Sequence, residues 1–282
     1  MLNFNKLSEL ARVTGLLQSG FASKDTCYSD KLSNLHNYLL ENCSSSYISQ
    51  YLTGGLKHWS RKWEYPYILA NIAQYCREKH ENLSAFDNAC GVNATAYLLA
   101  KTGINVTGTD LDDCPAAEGV LPSQHFASPE MLNLPGKVSF IKADSLHLPF
   151  DDNTFDLSYS ISSLEHMPDP VKAVEEMIRV TKHKGLIVFT MDVAPYLTSF
   201  NGESNVNNSN FNEIQNILLD KCSLFSPPKF KIPNEPLSWE DDCKQSTGLR
   251  ELLASQSRKL MGKPPSPNFY IFGGAYIKNM DI

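Results

Sequence analysis

The sequence predicts an α/β fold organised around a mostly parallel sheet. Three observations carry that prediction. Between residues 83 and 192, short segments rich in Val, Ile and Phe alternate with helical patterns, the order expected of parallel strands joined by crossover helices. Several of those segments finish in a polar residue, Asp110, Asp144 or Ser160, and open parallel sheets bind ligands at the carboxyl ends of their strands. The chain has 282 residues, 42% of them hydrophobic and 20% charged, enough to bury such a sheet under helices.

The elements follow in order. Residues 1–58 read as an N-terminal helical extension, one amphipathic pattern running through Leu7, Leu10, Val13, Leu16 and Leu17 and another through Leu32, Leu35, Leu39 and Leu40. Ser44 to Ser46 and Gly54-Gly55 punctuate it. In WSRKWEYPYILANIAQYCREKH, Ile68, Ile72 and Tyr75 keep helical spacing, and Pro66 suits a first turn. The core spans 83–192: strand LSAFDN, helix NATAYLLAKTG closed by Gly103, strand INVTGTD ending at Asp110, and strand KVSFIKAD ending at Asp144. Strand FDLSYS then ends at Ser160, a helix runs from Pro168 to about Thr181, and GLIVFTM finishes near Asp192. A variable insert covers 195–268, with an Asn-rich loop, helices FNEIQNILLDK and GLRELLASQSRKLM, and a stretch carrying Pro227, Pro228, Pro233 and Pro236. NFYIFGGAYIKN supplies a last strand, about 269–278, bulged at Gly273-Gly274. Residues 59–282 thus form one domain behind the extension.

Composition narrows the function. A net charge of −6 argues against nucleic acid as a partner, and the basic cluster Lys57, Arg61 and Lys62 is too small to reverse that. Seven dispersed cysteines without a CxxC pair read as reduced thiols, neither a disulfide framework nor a zinc site. The N-terminus lacks a secretory apolar region, and no apolar run reaches membrane-spanning length. The expectation is a soluble cytoplasmic protein with no resident metal.

The turn from the first core strand into its helix is Asp87-Asn88-Ala89-Cys90-Gly91-Val92-Asn93. Small residues there let the backbone approach a ligand, and Asn tolerates the left-handed conformation. Nineteen residues after Gly91 comes Asp110, a carboxylate able to accept both hydroxyls of a ribose. Asp144 could accept from an exocyclic amine. Each has a plainer reading: Asp87 could cap a turn, Asp144 could be a helix N-cap, and Cys90 could be a small buried residue. A dinucleotide fingerprint is absent, because its glycine positions would fall on Ala89, Gly91 and Ala94. A P-loop is absent too.

These residues resemble the class I S-adenosylmethionine-dependent methyltransferases, in the small-molecule branch that includes ubiquinone- and sterol-type enzymes. The family's D-x-G-x-G-x-G motif falls on Asp87, Ala89, Gly91 and Asn93, and its acidic residue on Asp110, followed by Leu111. ADSLHLPFDDNTFD, from Ala143 to Asp156, is very close to the family's third-strand turn and fourth-strand entry, and SSLEHMPDP, Ser162 to Pro170, matches the loop after the fourth strand. The resemblance implies a Rossmann-like fold with seven strands and S-adenosyl-L-methionine as cofactor. It would set Asp87, Ala89, Cys90 and Gly91 along the methionine portion, Asp110 on the ribose, Leu111 against adenine, Asp144 and Ser145 at the adenine edge, and the Ser160 backbone near the methyl group. Two of the three loop glycines are replaced, so a non-catalytic binding or scaffold protein on the same fold, serving a protein partner, is the alternative.

Methyl transfer from a sulfonium is an in-line displacement that needs alignment and exclusion of water. A general base is needed only where the acceptor loses a proton. Glu165 and His166 are the candidates, with a scaffold role in the loop as their plainer reading. In SRKWEYP, Arg61 would hold the carboxylate of the cofactor's methionine, and Trp63, Tyr65 and Tyr67 would wall a small-molecule substrate pocket. Equally, this segment is a helix packed on the sheet with Trp59 and Trp63 as core. Residues 1–58 and 195–268 would form a lid that sets substrate choice; His58, Trp239, Glu240, Asp241 and Asp242 lie in or beside it.

Overall fold

The chain begins with helices that cap themselves. α1 (Phe4–Thr14) starts at Asn3, whose side chain accepts from Lys6 N–H, and ends at Gly15 in the left-handed conformation. A three-residue strand, β1 (Ser19–Phe21), intervenes before the short α2 (Lys24–Cys27). α3 (Asp30–Asn42) is capped by Ser29 and α4 (Ser46–Lys57) by Ser45, each hydroxyl accepting from the third N–H of its helix. The computed structural model describes residues 2–77, 82–113, 115–116, 119–194, 208–238 and 270–280. The expected helix at 248–261 and the group Trp239, Glu240, Asp241 and Asp242 lie outside the described residues.

α4 runs straight through Gly54-Gly55, which were expected to break the chain. Gly55 has a packing reason: a Cβ there would stand 2.2 Å from the Tyr65 ring. α5 (Arg61–Cys76) corrects a second expectation, because Pro66 is the sixth helical residue and so lies beyond the first turn. Proline cannot donate to the Lys62 carbonyl four residues back. His36, on α3, takes over: its Nε2 lies 2.7 Å from that oxygen. α5 is buried on nearly every side, as a helix must be when it lies between a sheet and an outer helical layer.

The core elements follow as β2 (Ser84–Asn88), α6 (Thr95–Ala100), β3 (Asn105–Asp110), α7 (Pro122–Phe126), α8 (Pro129–Leu132), β4 (Val138–Lys142) and β5 (Phe155–Ile161). α9 (Pro170–Val180), β6 (Thr181–Val193), α10 (Asn208–Lys221), β7 (Cys222–Leu224), β8 (Pro228–Lys229) and β9 (Tyr270–Lys278) complete the described chain. The strands pair in the order β4-β3-β2-β5-β6-β9-β1-β8, with β7 also on β9. β4, β3, β2, β5 and β6 are mutually parallel and β9 is antiparallel. Connections run outward in one direction from β2 and in the other from β5, so a switch point lies between them, where open α/β sheets bind ligands.

Among the described residues the sheet has nine strands, where seven were expected. One of the additional strands comes from the N-terminal segment, expected to be helical, which places β1 between β9 and β8. Gly20 permits it, since a Cβ there would meet the Lys229 carbonyl oxygen at 2.2 Å. The expected bulge at Gly273-Gly274 is absent, as β9 pairs with β6 in unbroken register from Leu186↔Ile277 to Val193↔Tyr270. Gly273 instead makes room for rings: its Cβ would fall 2.6 Å from Tyr67 and 2.8 Å from Trp63.

One face of the sheet buries α5, α6 and the N-terminal helices in a cluster running from Leu2 to Ala275. The other buries residues of α9 and α10, among them Met177, Ile178, Ile214 and Leu218. The five described cysteines, Cys27, Cys43, Cys76, Cys90 and Cys222, are buried. No helix among the described residues is long and apolar enough to cross a membrane.

Candidate functional site

The loop after β2 is held by Asn93, a residue the sequence reading placed at a lost glycine without giving it a task. Its Nδ2 donates to the Cys90 carbonyl at 2.7 Å, and its Oδ1 accepts from Thr95 N–H at 2.7 Å. The backbone turns left-handed at Ala89 (φ 52°) and Gly91 (φ 51°), which costs about 1 kcal/mol at the alanine. Above Gly91 the space is open, since an added Cβ would meet nothing within 4 Å. The Cys90 thiol turns inward, close against Gly108, so only its backbone faces the loop.

Asp110, at the tip of β3, accepts from Gly91 N–H at 2.9 Å. That bond ties the loop to the neighbouring strand and leaves the carboxylate lone pairs for other donors. Leu111 beside it is half exposed, unusual for a large apolar side chain next to a strand end. Asp144 is exposed at the next tip and caps its own turn, accepting from Leu146 N–H at 2.9 Å. Ser145 is buried. The loop that follows is clamped to α9: Glu176 accepts from Leu148 N–H, and Arg179 donates to the Leu148 and Phe150 carbonyls and to Glu176.

Asp87 lies under the loop, fully buried, accepting from the Tyr159 hydroxyl at 2.8 Å. Burial pushes its carboxyl up to about 8, with Asp110 adding to the rise and the Tyr159 bond opposing it. Ser160 points to the opposite side, donating to the Asn88 carbonyl and lying 2.6 Å from Ser163 Oγ.

A second polar group gathers where β5 and β6 end beneath α5. Arg61 donates to Ser60 and to Glu64, and Glu64 is wholly buried. Burial opposes the Arg61 charge, but Glu64, with Tyr65 and Glu165, outweighs it and raises the guanidinium pKa. Glu165 sits in a 3-10 turn over Leu164–His166 that follows Ser162, whose φ is 48°. It is buried and accepts from the Ser162 hydroxyl at 2.7 Å. Burial raises its pKa, Glu64 adds to the rise, and His166 opposes it. Asp192, at the end of β6, is raised well above the carboxylate range by burial and by Glu165 and Glu64, against Arg61. Glu64 Oε1 and Glu165 Oε2 have no hydrogen-bond partner among the described residues.

The structure therefore separates the candidates. Arg61, Tyr65 and Glu165 come together with Glu64 and Asp192; His166, next in sequence to Glu165, faces outward. Trp63 and Tyr67 stack on each other at 4.6 Å and lie against Gly273, as core. Glu64 and Asp192 were missed, since charged side chains are normally placed outside. The only signal for Asp192 was its position at a strand's carboxyl end.

Comparison with known proteins finds similarity in the core of the chain. Residues 86–189 match the family model described as a methyltransferase domain. Norajmaline N-methyltransferase of Rauvolfia serpentina is 38% identical over 114 residues, covering 39% of this chain and 36% of that protein. The chloroplastic tocopherol O-methyltransferase of Arabidopsis thaliana is 37% identical over 105 residues, 36% of this chain and 28% of that protein. The matched region thus spans about a third of these relatives' length. The YcgJ protein of Bacillus subtilis shares the fold at TM-score 0.50 and 16% identity, over 75% of this chain and 98% of that one.

Proposed function

We propose that this chain, whose residues 86–189 match a methyltransferase domain, is a class I S-adenosylmethionine-dependent methyltransferase that transfers a methyl group from S-adenosylmethionine to a small-molecule acceptor in the cytoplasm. One observation carries the reading: Asp110 is tied to Gly91 N–H beneath open space, with exposed Leu111 beside it and Asp144 one strand over. That set suits an adenosine carrying a charged side chain. Asp110 accepts the ribose hydroxyls, Leu111 covers adenine, and Asp144 and Ser145 edge it. Asp87, Ala89, Cys90 and Gly91 follow the methionine portion, Arg61 answers its carboxylate, and the Ser160 backbone lies near the methyl group.

When bound, S-adenosylmethionine supplies a methyl carbon made electrophilic by its sulfonium. The protein's task is to align the acceptor, keep water out and receive any proton the acceptor loses. Glu165 is the proton acceptor of choice: buried, oriented by Ser162, with a pKa raised from the ordinary carboxylate range. His166, from the protein's outer side, modulates it. Tyr65 and the buried acids favour an acceptor that arrives with an O–H or N–H. The net charge of −6 supports a small molecule over nucleic acid, and seven dispersed cysteines without a CxxC pair support a reducing compartment.

Ala89 in the left-handed region favours a second reading, a non-catalytic protein on this fold that serves a protein partner. Isothermal titration of the full chain with S-adenosylmethionine and S-adenosylhomocysteine separates the two. The enzyme reading expects both to bind, and Asp110→Ala to weaken binding at least about 100-fold with the fold intact. No binding by either ligand would sink it.

A further inference from the structure

One buried titratable side chain has no part in the reading above. His125, on α7, is wholly buried. Its Nε2 lies 2.8 Å from the Asn93 carbonyl oxygen, and its Nδ1 lies 3.2 Å from the Tyr47 hydroxyl. A carbonyl only accepts, so Nε2 carries the proton; Nδ1 is then bare and accepts from Tyr47. Two bonds thus hold the ring in one neutral tautomer. Tyr51 meets it edge-on at 5.2 Å and Tyr47 meets Tyr51 edge-on at 5.3 Å, so the imidazole is fixed in position as well as in protonation.

The two ends of this contact belong to different parts of the protein. Tyr47 and Tyr51 are on α4, in the N-terminal segment, whereas Asn93 closes the loop after β2. That loop needs outside support. Two of its residues are left-handed, one of them an alanine, and such conformations persist where surrounding bonds over-determine them. Asn93 makes two of those bonds through its side chain; the third, to its carbonyl, comes from His125.

We propose that His125 is a positioning residue for the cofactor loop, passing the order of helix α4 to Asn93 and so holding residues 89–93 in their binding shape. The proposal rests on the assignment of that loop to S-adenosylmethionine. It makes the N-terminal helices part of the cofactor site without touching the ligand. Protonation of Nδ1 would break the arrangement by turning the acceptor of the Tyr47 hydroxyl into a donor. The groups that face the ring are Tyr47 and Tyr51 on α4, Asn93 in the loop and, at longer range, Glu130 on α8. Burial, opposed by the Asn93 bond and by Glu130, lowers the His125 pKa, so the neutral form prevails at neutral pH and affinity falls only as the solution turns acid.

The test is titration of the full chain with S-adenosylhomocysteine, using wild type, His125→Ala, His125→Gln and Tyr47→Phe, from acid to neutral pH. His125→Ala should weaken binding about tenfold or more, and Tyr47→Phe severalfold. His125→Gln, whose amide can donate to the same carbonyl, should recover most of the loss. Nitrogen NMR of wild type should find Nε2 protonated and Nδ1 bare, and Tyr47→Phe should relax that preference. Tyr47→Phe removes a single oxygen, which guards against a variant that fails to fold. If wild type binds while both Tyr47→Phe and His125→Gln bind equally well and His125→Ala, when folded, does too, His125 is only a packing residue and the proposal is overturned. If wild type itself does not bind, the cofactor assignment falls first and takes this proposal with it.

Discussion

Replacing Asp87 with Asn should change how stability depends on pH, and the size of the change can be worked from the site. Asp87 is fully buried beneath the loop, and its carboxyl is pushed from 3.8 up to about 8 by burial, with Asp110 adding to the rise. In the unfolded chain it ionises near 4. Between those values the folded protein holds a proton that the unfolded chain has released. Its stabilising contribution is therefore complete below pH 4 and is lost as pH rises to about 8. The slope is about 1.4 kcal/mol per pH unit, with a ceiling of about 6 kcal/mol over the whole interval. Asp87→Asn keeps an oxygen to accept from Tyr159 but buries an amide, a pH-independent cost of about 1–3 kcal/mol. The variant should be the less stable protein at pH 4 and the more stable one by pH 8. Urea denaturation of both proteins across that range gives the difference directly, since the linkages of Glu165 and Asp192 are common to both. A gap that stays constant with pH would refute the buried, proton-holding Asp87.

Other perturbations test separate parts of the account. Glu165→Gln should lower kcat by about 100-fold or more while leaving S-adenosylhomocysteine affinity within about twofold, measured with an O–H or N–H acceptor found by labelled-methyl screening; an unchanged kcat removes Glu165 as the proton acceptor. The adjacent glycines of α4 should respond with opposite sign. Gly54→Ala adds a methyl into open space and should stabilise by about 1 kcal/mol, whereas Gly55→Ala drives into the Tyr65 ring and should destabilise by about 1–3 kcal/mol. Thermal denaturation distinguishes them, and a shared sign would contradict the packing of α4 on α5.

The parallel core was legible because its physics is local. β2, β3, β5 and β6 are apolar runs bounded by turns, and their polar ends, Asp110 foremost, stand where such a sheet opens to a ligand. β1 and β8 were not legible: three and two residues long, with Gly and Pro among them, they exist only because β9 offers an edge to β1 and β1 in turn offers one to β8. The extent of α5 was hidden for a similar reason. Pro66 argues for a helix start, and the side chain that satisfies the orphaned Lys62 carbonyl comes from His36, 26 positions earlier. Candidate site residues divide along the same line. Asp110 and Asp144 were visible from strand ends, but the burial of Glu64 and Asp192 depends on α5 closing over β6. Asn93 was read as a glycine lost, although its side chain restores by hydrogen bonds part of what the glycine would have allowed.

A crystal structure of the full chain with S-adenosylhomocysteine tests the central claim most directly. The account predicts the ribose hydroxyls on Asp110, the adenine over Leu111 between Asp110 and Asp144, and the sulfur turned toward the ends of β5 and β6, where Arg61, Glu64, Glu165 and Asp192 gather. A ligand bound elsewhere, or one whose sulfur faces away from Glu165, would contradict it.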